Sequence, residues 1–257
     1  MNEKTLPGTQ AVQRAMALLK AFDDDHSTWG LSALARETGL NKTTAHRLLA
    51  ALEREGMLGR AADGDRYVLG PEVVVLGGRA LRANNLRAVA RRELEHLAEE
   101  TRETASLEIL SGGQMLVIDE IVGGHLMSGV PDLGSRWPLH ASSTGLATLA
   151  FLPDGEAAEL LPRTLARVTA ATITGRVALR VELACIRERG YSVADETLEA
   201  GLVAIAAPVY DYDGRVVAAL SIAGPKVRVT VECVPVIGNR VRAAAADVSA
   251  LLGYRPT

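Results

Sequence analysis

Residues 31–56 hold a cluster of hydrogen-bond donors at helical spacing, and such a cluster can read base edges in the DNA major groove. From residue 42 the apolar side chains recur every three or four residues and form one helical face, made of Ala45, Leu48, Leu49 and Leu52. The other face has no carboxylate before Glu53 and carries the donors Lys42, Thr43, Thr44, His46 and Arg47. We expect these donors to contact DNA, with Arg47 placed to pair with guanine.

A shorter predicted helix precedes this one and is joined to it by a glycine turn. The shorter helix is expected to run from Ser32, its N-terminal cap, to Thr38, and Gly39 then supplies the left-handed conformation of a tight turn. Asn41 is expected to cap the second helix, whose unpaired N–H groups favour a phosphate. Ser32 and Asn41 therefore join the expected DNA contacts. Two packed helices without a special function share this pattern, so the segment alone does not decide.

A predicted β-hairpin follows and supports the DNA-binding interpretation. The sequence GRAADGDRYVLG contains two short strands around Asp63 and Gly64, the dipeptide best suited to a tight hairpin. Arg60 and Arg66 flank its tip and are expected to meet the DNA backbone or minor groove, with the neighbouring aspartates pointing away. Before the two helices lies a third, with an expected buried stripe of Val12, Ala15, Met16, Leu19 and Phe22. The whole reads as a winged helix-turn-helix.

Charge limits how such a domain can bind DNA. The winged helix-turn-helix domain is predicted over residues 1–70. Residues 1–80, which include it, contain ten Lys or Arg and ten Asp or Glu and so have no net charge. A generally basic surface is excluded, and a few placed cations must supply the affinity. This favours site-specific binding as a dimer to a near-palindromic operator in double-stranded DNA.

Composition excludes several classes of protein. The 257 residues are 48% hydrophobic but only 4% aromatic, which predicts two domains with cores of Ala, Val and Leu. No apolar run approaches a membrane span and the N-terminus lacks a signal-peptide core, so we expect a cytoplasmic protein. Cys185 and Cys233 fit neither a disulfide framework nor a metal-ligand spacing and are expected in the core. No metal and no cofactor are predicted.

The second half of the chain is predicted to be an α+β domain behind a linker helix. The linker spans residues 71–85, begins with Pro71, and has an apolar run at 73–76 that a partner chain is expected to cover in part. Residues 86–257 then alternate between strand and helix patterns. The strands form two hairpins, at 104–110 with 114–122 and at 202–209 with 215–222, and the helices lie at 142–152, 154–161, 176–189 and from Val234 onward. An antiparallel sheet covered by helices is the expected architecture.

Several stretches make the chain similar to the IclR family of transcriptional regulators over essentially its full length. In the first half they are ETGLNKTTAHRLLAALEREG and the YVLG wing strand. In the second half they are PLHASSTGLATLAFLP and RERGYSVADETLEAGLVAIAAPVYDYDGRVVAALSIAGP. The resemblance implies a winged helix, a linker helix and a GAF-like effector-binding domain. It also implies a homodimer or homotetramer that represses or activates catabolic operons in response to a small organic effector.

The same resemblance implies an effector pocket. Ser143 and Thr144 would hold a carboxylate at the start of the helix that they open, and Asp195 would accept from a ligand hydroxyl or hold the loop. The remaining wall would consist of Leu126, Gly129, Leu202, Ala204, Ser221 and Ala223. Family members that bind small oxoacids have polar groups where this chain has Ala194, Ala204 and Ala223. A larger or more apolar acid, aromatic or aliphatic, is therefore favoured over glyoxylate or pyruvate.

Two other functions remain as alternatives. A serine hydrolase would use residues 141–145 as a nucleophile elbow beside His140, but it would need a preceding strand and a triad of suitable order, and a structural hydrogen bond is favoured for His140. A metal site at His125 is disfavoured because no second histidine lies at ligand spacing. A sensor that binds another protein instead of DNA differs from the regulator in one test, the retardation of its upstream DNA.

Overall fold

The computed structural model describes residues 9–23, 25–83, 85–124 and 133–255. The chain divides into two compact units, residues 1–83 and 84–257, so the predicted linker helix belongs to the first unit. Among the described helices, none is long and apolar enough to cross a membrane. The α+β class predicted from the sequence is confirmed in both units.

The first unit is a winged helix-turn-helix followed by a further helix. Its elements are α1 (Gln10–Lys20), β1 (Trp29–Gly30), α2 (Leu31–Glu37), α3 (Lys42–Arg54), β2 (Leu58–Arg60), β3 (Arg66–Leu69) and α4 (Pro71–Ala83). Strand β3 lies between β1 and β2, and both pairs are antiparallel. The predicted wing hairpin is confirmed. The sequence analysis missed β1, because two residues are too few to show strand alternation.

Local interactions explain where the two central helices begin. The Asn41 side chain caps α3 as predicted, since its Oδ1 accepts the backbone N–H of Thr44 at 2.8 Å. Gly39 has the positive φ of 66° that the turn requires. The predicted cap at Ser32 is wrong, because β1 runs directly into α2 and Gly30 takes the capping position in an extended conformation. Ser32 is an exposed residue inside the first turn.

The core of the first unit lies between α1, α2, α3 and the sheet. Its largest buried side chains are Leu18, Leu34, Leu49, Leu58 and Tyr67. The apolar face of α3 is buried as predicted, except that Leu48 is half-buried. The predicted stripe on α1 is shifted, because Leu18 is its buried residue whereas Val12 is 62% and Met16 is 43% exposed.

The second unit is an antiparallel sheet with helices. Its elements are α5 (Asn85–Thr101), β4 (Thr104–Ser111), β5 (Gln114–Ile121), β6 (Arg136–Pro138), α6 (Ser143–Phe151), α7 (Asp154–Leu160), α8 (Arg176–Arg189), β7 (Ser192–Asp195), β8 (Leu202–Tyr210), β9 (Val216–Pro225) and α9 (Val234–Leu251). The strand order is β6-β5-β4-β9-β8-β7. Both predicted hairpins and the predicted helices are confirmed. The expected burial of Cys185 is wrong, because the buried face of α8 is formed by Leu179, Leu183 and Ile186.

Strand register brings a set of small and polar side chains onto one face of the sheet. Ser106 of β4 lies opposite Ser221 of β9, and Glu108 lies opposite Ala219. Because side chains alternate along a strand, these residues share a face. Ala219 belongs to the same apolar cluster as Leu146 of α6, so α6 covers this face.

Helix α6 approaches the preceding chain closely at Gly145. A Cβ atom added to Gly145 would lie 2.5 Å from Leu139 Cα, which is closer than real Cβ atoms approach a neighbour. Glycine therefore permits the backbone contact that holds the start of α6 against the residues after β6.

We expect Gly145→Ala to lower the free energy of unfolding by at least about 2 kcal/mol, because the added methyl group meets backbone atoms that cannot rotate away. Gly155→Ala in α7 is the matched control, since nothing lies within 4 Å of a Cβ atom added there. That control should be neutral or stabilising by up to about 1 kcal/mol. Urea unfolding followed by circular dichroism measures both variants, and equal stabilities would contradict the packing argument.

Candidate DNA-binding surface and ligand cavity

The exposed face of α3 carries the predicted donors. Lys42, Thr43, His46 and Arg47 are exposed, and Thr44 is half-buried behind the Asn41 cap. Within the described part of the chain, Lys42 and Arg47 take part in no ion pair or side-chain hydrogen bond. Arg54, farther along the helix, has Glu55 at 3.6 Å. Two cations near the start of α3 thus keep all their donors for a partner.

Arg60 of the wing is held within the domain. Its guanidinium donates to both carboxylate oxygens of Glu53 at 2.8 and 3.0 Å and to the Tyr67 hydroxyl at 2.8 Å. It also stacks 3.9 Å from the centre of the Tyr67 ring. The hydrogen bond from Arg60 lowers the pKa of the Glu53 carboxyl. Arg60 therefore fastens the wing to α3, and its charge is balanced by Glu53.

Arg66 is balanced in the same way at the hairpin. It donates to Asp63 at 2.6 Å and to the Thr28 hydroxyl at 3.0 Å. The hydrogen bond from Arg66 lowers the pKa of the Asp63 carboxyl. Asp63 also accepts the backbone N–H groups of Asp65 and Arg66, which closes the turn. Asp63 thus lies beside Arg66 and balances its charge. The wing carries paired charges, whereas α3 carries unpaired ones.

A cavity of about 610 Å³ opens on the sheet face that α6 covers. It brings together six of the predicted effector contacts, namely Ser143, Thr144, Leu202, Ala204, Ser221 and Ala223. Two further predicted contacts, Leu126 and Gly129, lie outside the described residues. Ala194 lines the cavity as well, so the apolar wall inferred from the alanines is present.

Asp195 does not line the cavity, contrary to expectation. Its side chain is 55% exposed and forms an ion pair with Lys226 at 2.8 Å. Alternation along β7 turns Ala194 toward the cavity and its neighbour Asp195 away from it. Lys226 also binds Glu196 and lowers the pKa of that carboxyl.

The N-terminus of α6 presents donors to the cavity. The Ser142 side chain caps the helix by accepting the N–H of Gly145 at 3.2 Å, and its hydroxyl donates to the Pro138 carbonyl at 3.0 Å. The backbone N–H groups of Ser143 and Thr144 have no acceptor among the described residues. The Ser143 hydroxyl has none there either, although this residue is only 4% exposed. These three donors can receive an anion.

Two buried glutamates were missed by the sequence analysis. Glu103 and Glu108 are each 5% exposed and line the cavity. Glu103 accepts two hydrogen bonds from Arg228, at 2.6 and 2.7 Å. Glu108 accepts the hydroxyls of Ser106 at 3.1 Å and Thr144 at 2.5 Å, the latter a length typical of a hydroxyl donating to a carboxylate. The alternation of polar residues at 104, 106 and 108 was the signal that could have found this face.

The hydrolase alternative finds no catalytic pair. His140 is buried and its Nε2 lies 2.8 Å from the Ala166 carbonyl oxygen. Ser143, which holds the nucleophile position of residues 141–145, makes no side-chain hydrogen bond to His140 in the described part of the chain. Across the residues that the structure describes, no group of three or more His, Cys, Asp or Glu side chains could hold a metal. His125 lies outside them.

Comparison with known proteins covers both units. A family model for the IclR helix-turn-helix domain matches residues 11–62, and one for the bacterial transcriptional regulator IclR C-terminal region matches residues 78–250. The transcriptional repressor IclR of Escherichia coli (strain K12) is 34% identical over 255 residues, which cover 97% of this chain and 93% of that protein.

Solved structures match the chain over both units. An IclR transcriptional regulator from Alicyclobacillus acidocaldarius matches with a TM-score of 0.85 at 29% identity, covering 97% of this chain and 100% of that one. An IclR homolog from Microbacterium hydrocarbonoxydans, complexed with 4-hydroxybenzoate, matches with a TM-score of 0.79 at 31% identity. This match covers 94% of the present chain and 98% of the homolog.

Proposed function

The chain belongs to the IclR family of bacterial transcriptional regulators, and from that premise we propose that it represses a catabolic operon until a small organic acid binds in its cavity. Members of this family bind DNA and are not enzymes. The observation that carries the proposal is a cavity with unpaired amide donors in the same chain as a winged helix with unpaired cations. The Escherichia coli relative is a repressor, which supports repression here. We also propose a cytoplasmic location, where the operator is found.

Arg47 is the main base contact in this proposal. It is exposed on α3, and no described residue pairs with it, so its guanidinium can donate twice to one guanine. The neighbouring donors Asn41, Lys42, Thr43, Thr44 and His46 complete the contact with the groove or the adjacent phosphates. Ser32 on α2, Arg60 and Arg66 remain proposed contacts to the DNA backbone. The charges of the two arginines are already balanced by Glu53 and Asp63, which the sequence did not indicate.

We expect Arg47→Ala to weaken operator binding by about 1 to 3 kcal/mol, because a bidentate pair with guanine is lost. Arg47→Lys is the control, because it keeps the charge but cannot form the two parallel hydrogen bonds. It should lose the preference for the operator over scrambled DNA while keeping the salt dependence of binding. Fluorescence anisotropy over a range of salt concentrations measures both effects. Operator affinity equal to that of the parent in Arg47→Ala would refute this assignment.

We propose that the protein binds its operator as a homodimer or homotetramer. Helix α4 supports this proposal, because it has 13 residues, none of which is buried, and it exposes Val74 by 76% and Leu76 by 48%. A second chain would cover such an apolar helix. A dimer would also double the phosphate contacts of a unit that has eleven Lys or Arg against ten Asp or Glu.

Val74→Glu should shift the protein toward monomers and weaken operator binding, because it places a charge in the proposed interface. Val177→Glu on α8 is the matched control, since Val177 is equally exposed at 75%, and it should leave both properties unchanged. Sedimentation equilibrium and gel retardation provide the two measurements. A parent protein that is monomeric while it binds the operator would contradict the proposal.

The effector is proposed to bind with its carboxylate at the start of α6. The unpaired N–H groups of Ser143 and Thr144 lie at the positive end of the helix dipole, which favours an anion. The alanine wall and the size of the cavity favour an aromatic or aliphatic acid over the smallest oxoacids. The homolog complexed with 4-hydroxybenzoate supports an acid of that kind.

Ser143→Pro should weaken binding of the inducing acid at least about tenfold, because proline replaces one amide donor by a ring carbon. Ser143 is the first residue of α6, a position where proline is well tolerated, and Ser142 before it is already extended. Ser143→Ala keeps the amide and removes only the hydroxyl, so it should weaken binding of the acid less than Ser143→Pro does. Calorimetry measures the affinity for the inducing acid, and fluorescence anisotropy measures the affinity for the operator. If Ser143→Pro binds the acid like the parent, the amide site is refuted, and if it loses operator binding, the substitution has disturbed folding.

A further inference from the structure

We propose that Glu108 makes the cavity select acids that also carry a hydrogen-bond donor, a hydroxyl or an ammonium group. This inference rests on the proposed function, because it concerns the ligand of the same cavity. It follows from counting the hydroxyl hydrogens around Glu108, each of which can be donated only once.

The first chain of hydroxyls runs from β9 to β4. Ser106 donates its hydrogen to Glu108 at 3.1 Å. The Ser106 and Ser221 oxygens are 2.8 Å apart, so Ser221 must be the donor in that second contact. Ser221 has then used its only hydrogen and offers lone pairs alone to a ligand. The resemblance to the IclR family placed Ser221 only in the cavity wall, whereas the contact with Ser106 gives its oxygen the role of an acceptor in this proposal.

The second hydroxyl is that of Thr144 on α6. It donates to the other carboxylate oxygen of Glu108 at 2.5 Å. Its hydrogen is therefore unavailable to the carboxylate of an effector, which was its expected partner. What Thr144 offers the cavity is its backbone N–H as a donor and its side-chain oxygen as an acceptor.

The cavity consequently has two neighbouring polar faces of opposite character. The donor face comprises the amides of Ser143 and Thr144 with the Ser143 hydroxyl. The acceptor face comprises the oxygens of Thr144 and Ser221, both residues being at most 3% exposed. Because Thr144 belongs to both faces, a ligand must present its anionic group and its donor on the same side. An acid without a donor would place C–H groups against buried acceptors, which costs affinity.

Glu108→Gln reverses this polarity. The amide nitrogen replaces one of the two oxygens that accept from Ser106 and Thr144, and an amide nitrogen can only donate to the hydroxyl that it faces. The hydroxyl that receives this hydrogen bond must direct its own hydrogen elsewhere. If that hydroxyl is Thr144, its hydrogen points into the cavity. If it is Ser106, its hydrogen goes to Ser221, and the hydrogen of Ser221 then points into the cavity. Glu199→Gln is the matched control, since it removes the same charge from an exposed residue at the cavity edge that touches none of these hydroxyls.

The test uses the full chain and two sets of probes whose members differ by one donor group on the carbon next to the carboxylate: propanoate with lactate and alanine, and phenylacetate with mandelate and phenylglycine. Calorimetry should show, in at least one set, a donor-bearing member that binds about tenfold or more tightly than its parent acid. Glu108→Gln should reduce that ratio about tenfold, and Glu199→Gln should leave it unchanged. Hydroxyl and ammonium members of one set distinguish the two kinds of donor.

Three results would overturn the inference: parent acids that bind as tightly as their analogues, an unchanged ratio in Glu108→Gln, or no donor-bearing probe bound at millimolar concentration. If Glu108→Gln melts at a lower temperature than the control, Ser221→Ala replaces it, because it deletes one acceptor without disturbing Glu108 and should also reduce the ratio. Operator release is measured in parallel by anisotropy. If donor-bearing acids bind selectively but do not release the operator, effector control is refuted and the inference about Glu108 stands. If the parent acids bind as tightly as their analogues and release the operator, the inference about Glu108 is refuted and effector control stands.

Discussion

The close contact between α6 and the backbone of Leu139 is the constraint on which the second unit depends. It requires glycine at position 145, and it holds the first turn of α6 over the small residues of β8 and β9. Only from that position can Thr144 reach Glu108 on β4. The helix cap, the unpaired amides and the buried acid are thus consequences of one backbone approach.

In the DNA-binding unit, the distribution of charge matters more than its sum. In the wing, Arg60 pairs with Glu53 and Arg66 pairs with Asp63. These ion pairs fix the shape of the wing and balance its positive charges. The start of α3 keeps Lys42 and Arg47 unpaired. These two unpaired cations therefore lie on α3, the helix that is proposed to enter the groove. This division suits a regulator that must find one site among many.

Helices and strands whose apolar residues recur at a regular spacing were predictable from the sequence. The elements and residues that were missed have physical reasons. Strands β1, β6 and β7 contain two to four residues, too few for alternation to show. Asp195 was misplaced by one position of a strand, which is enough to turn a side chain to the other face. The acceptor role of Ser221 was missed because it depends on the contact between Ser221 and Ser106, residues 115 positions apart, whose pairing only the folded sheet reveals.

That separation has a consequence for how the protein is made. Strand β4 pairs at once with β5, its neighbour in sequence, but its other edge waits for β9. At the usual speed of translation, about 5 to 20 residues per second, Ser221 emerges roughly 6 to 23 s after Ser106. During that interval the nascent chain carries an open strand edge with a carboxylate beside it. A charged side chain on an open strand edge disfavours pairing with other chains, and Glu108 places such a charge on β4 until β9 pairs with it.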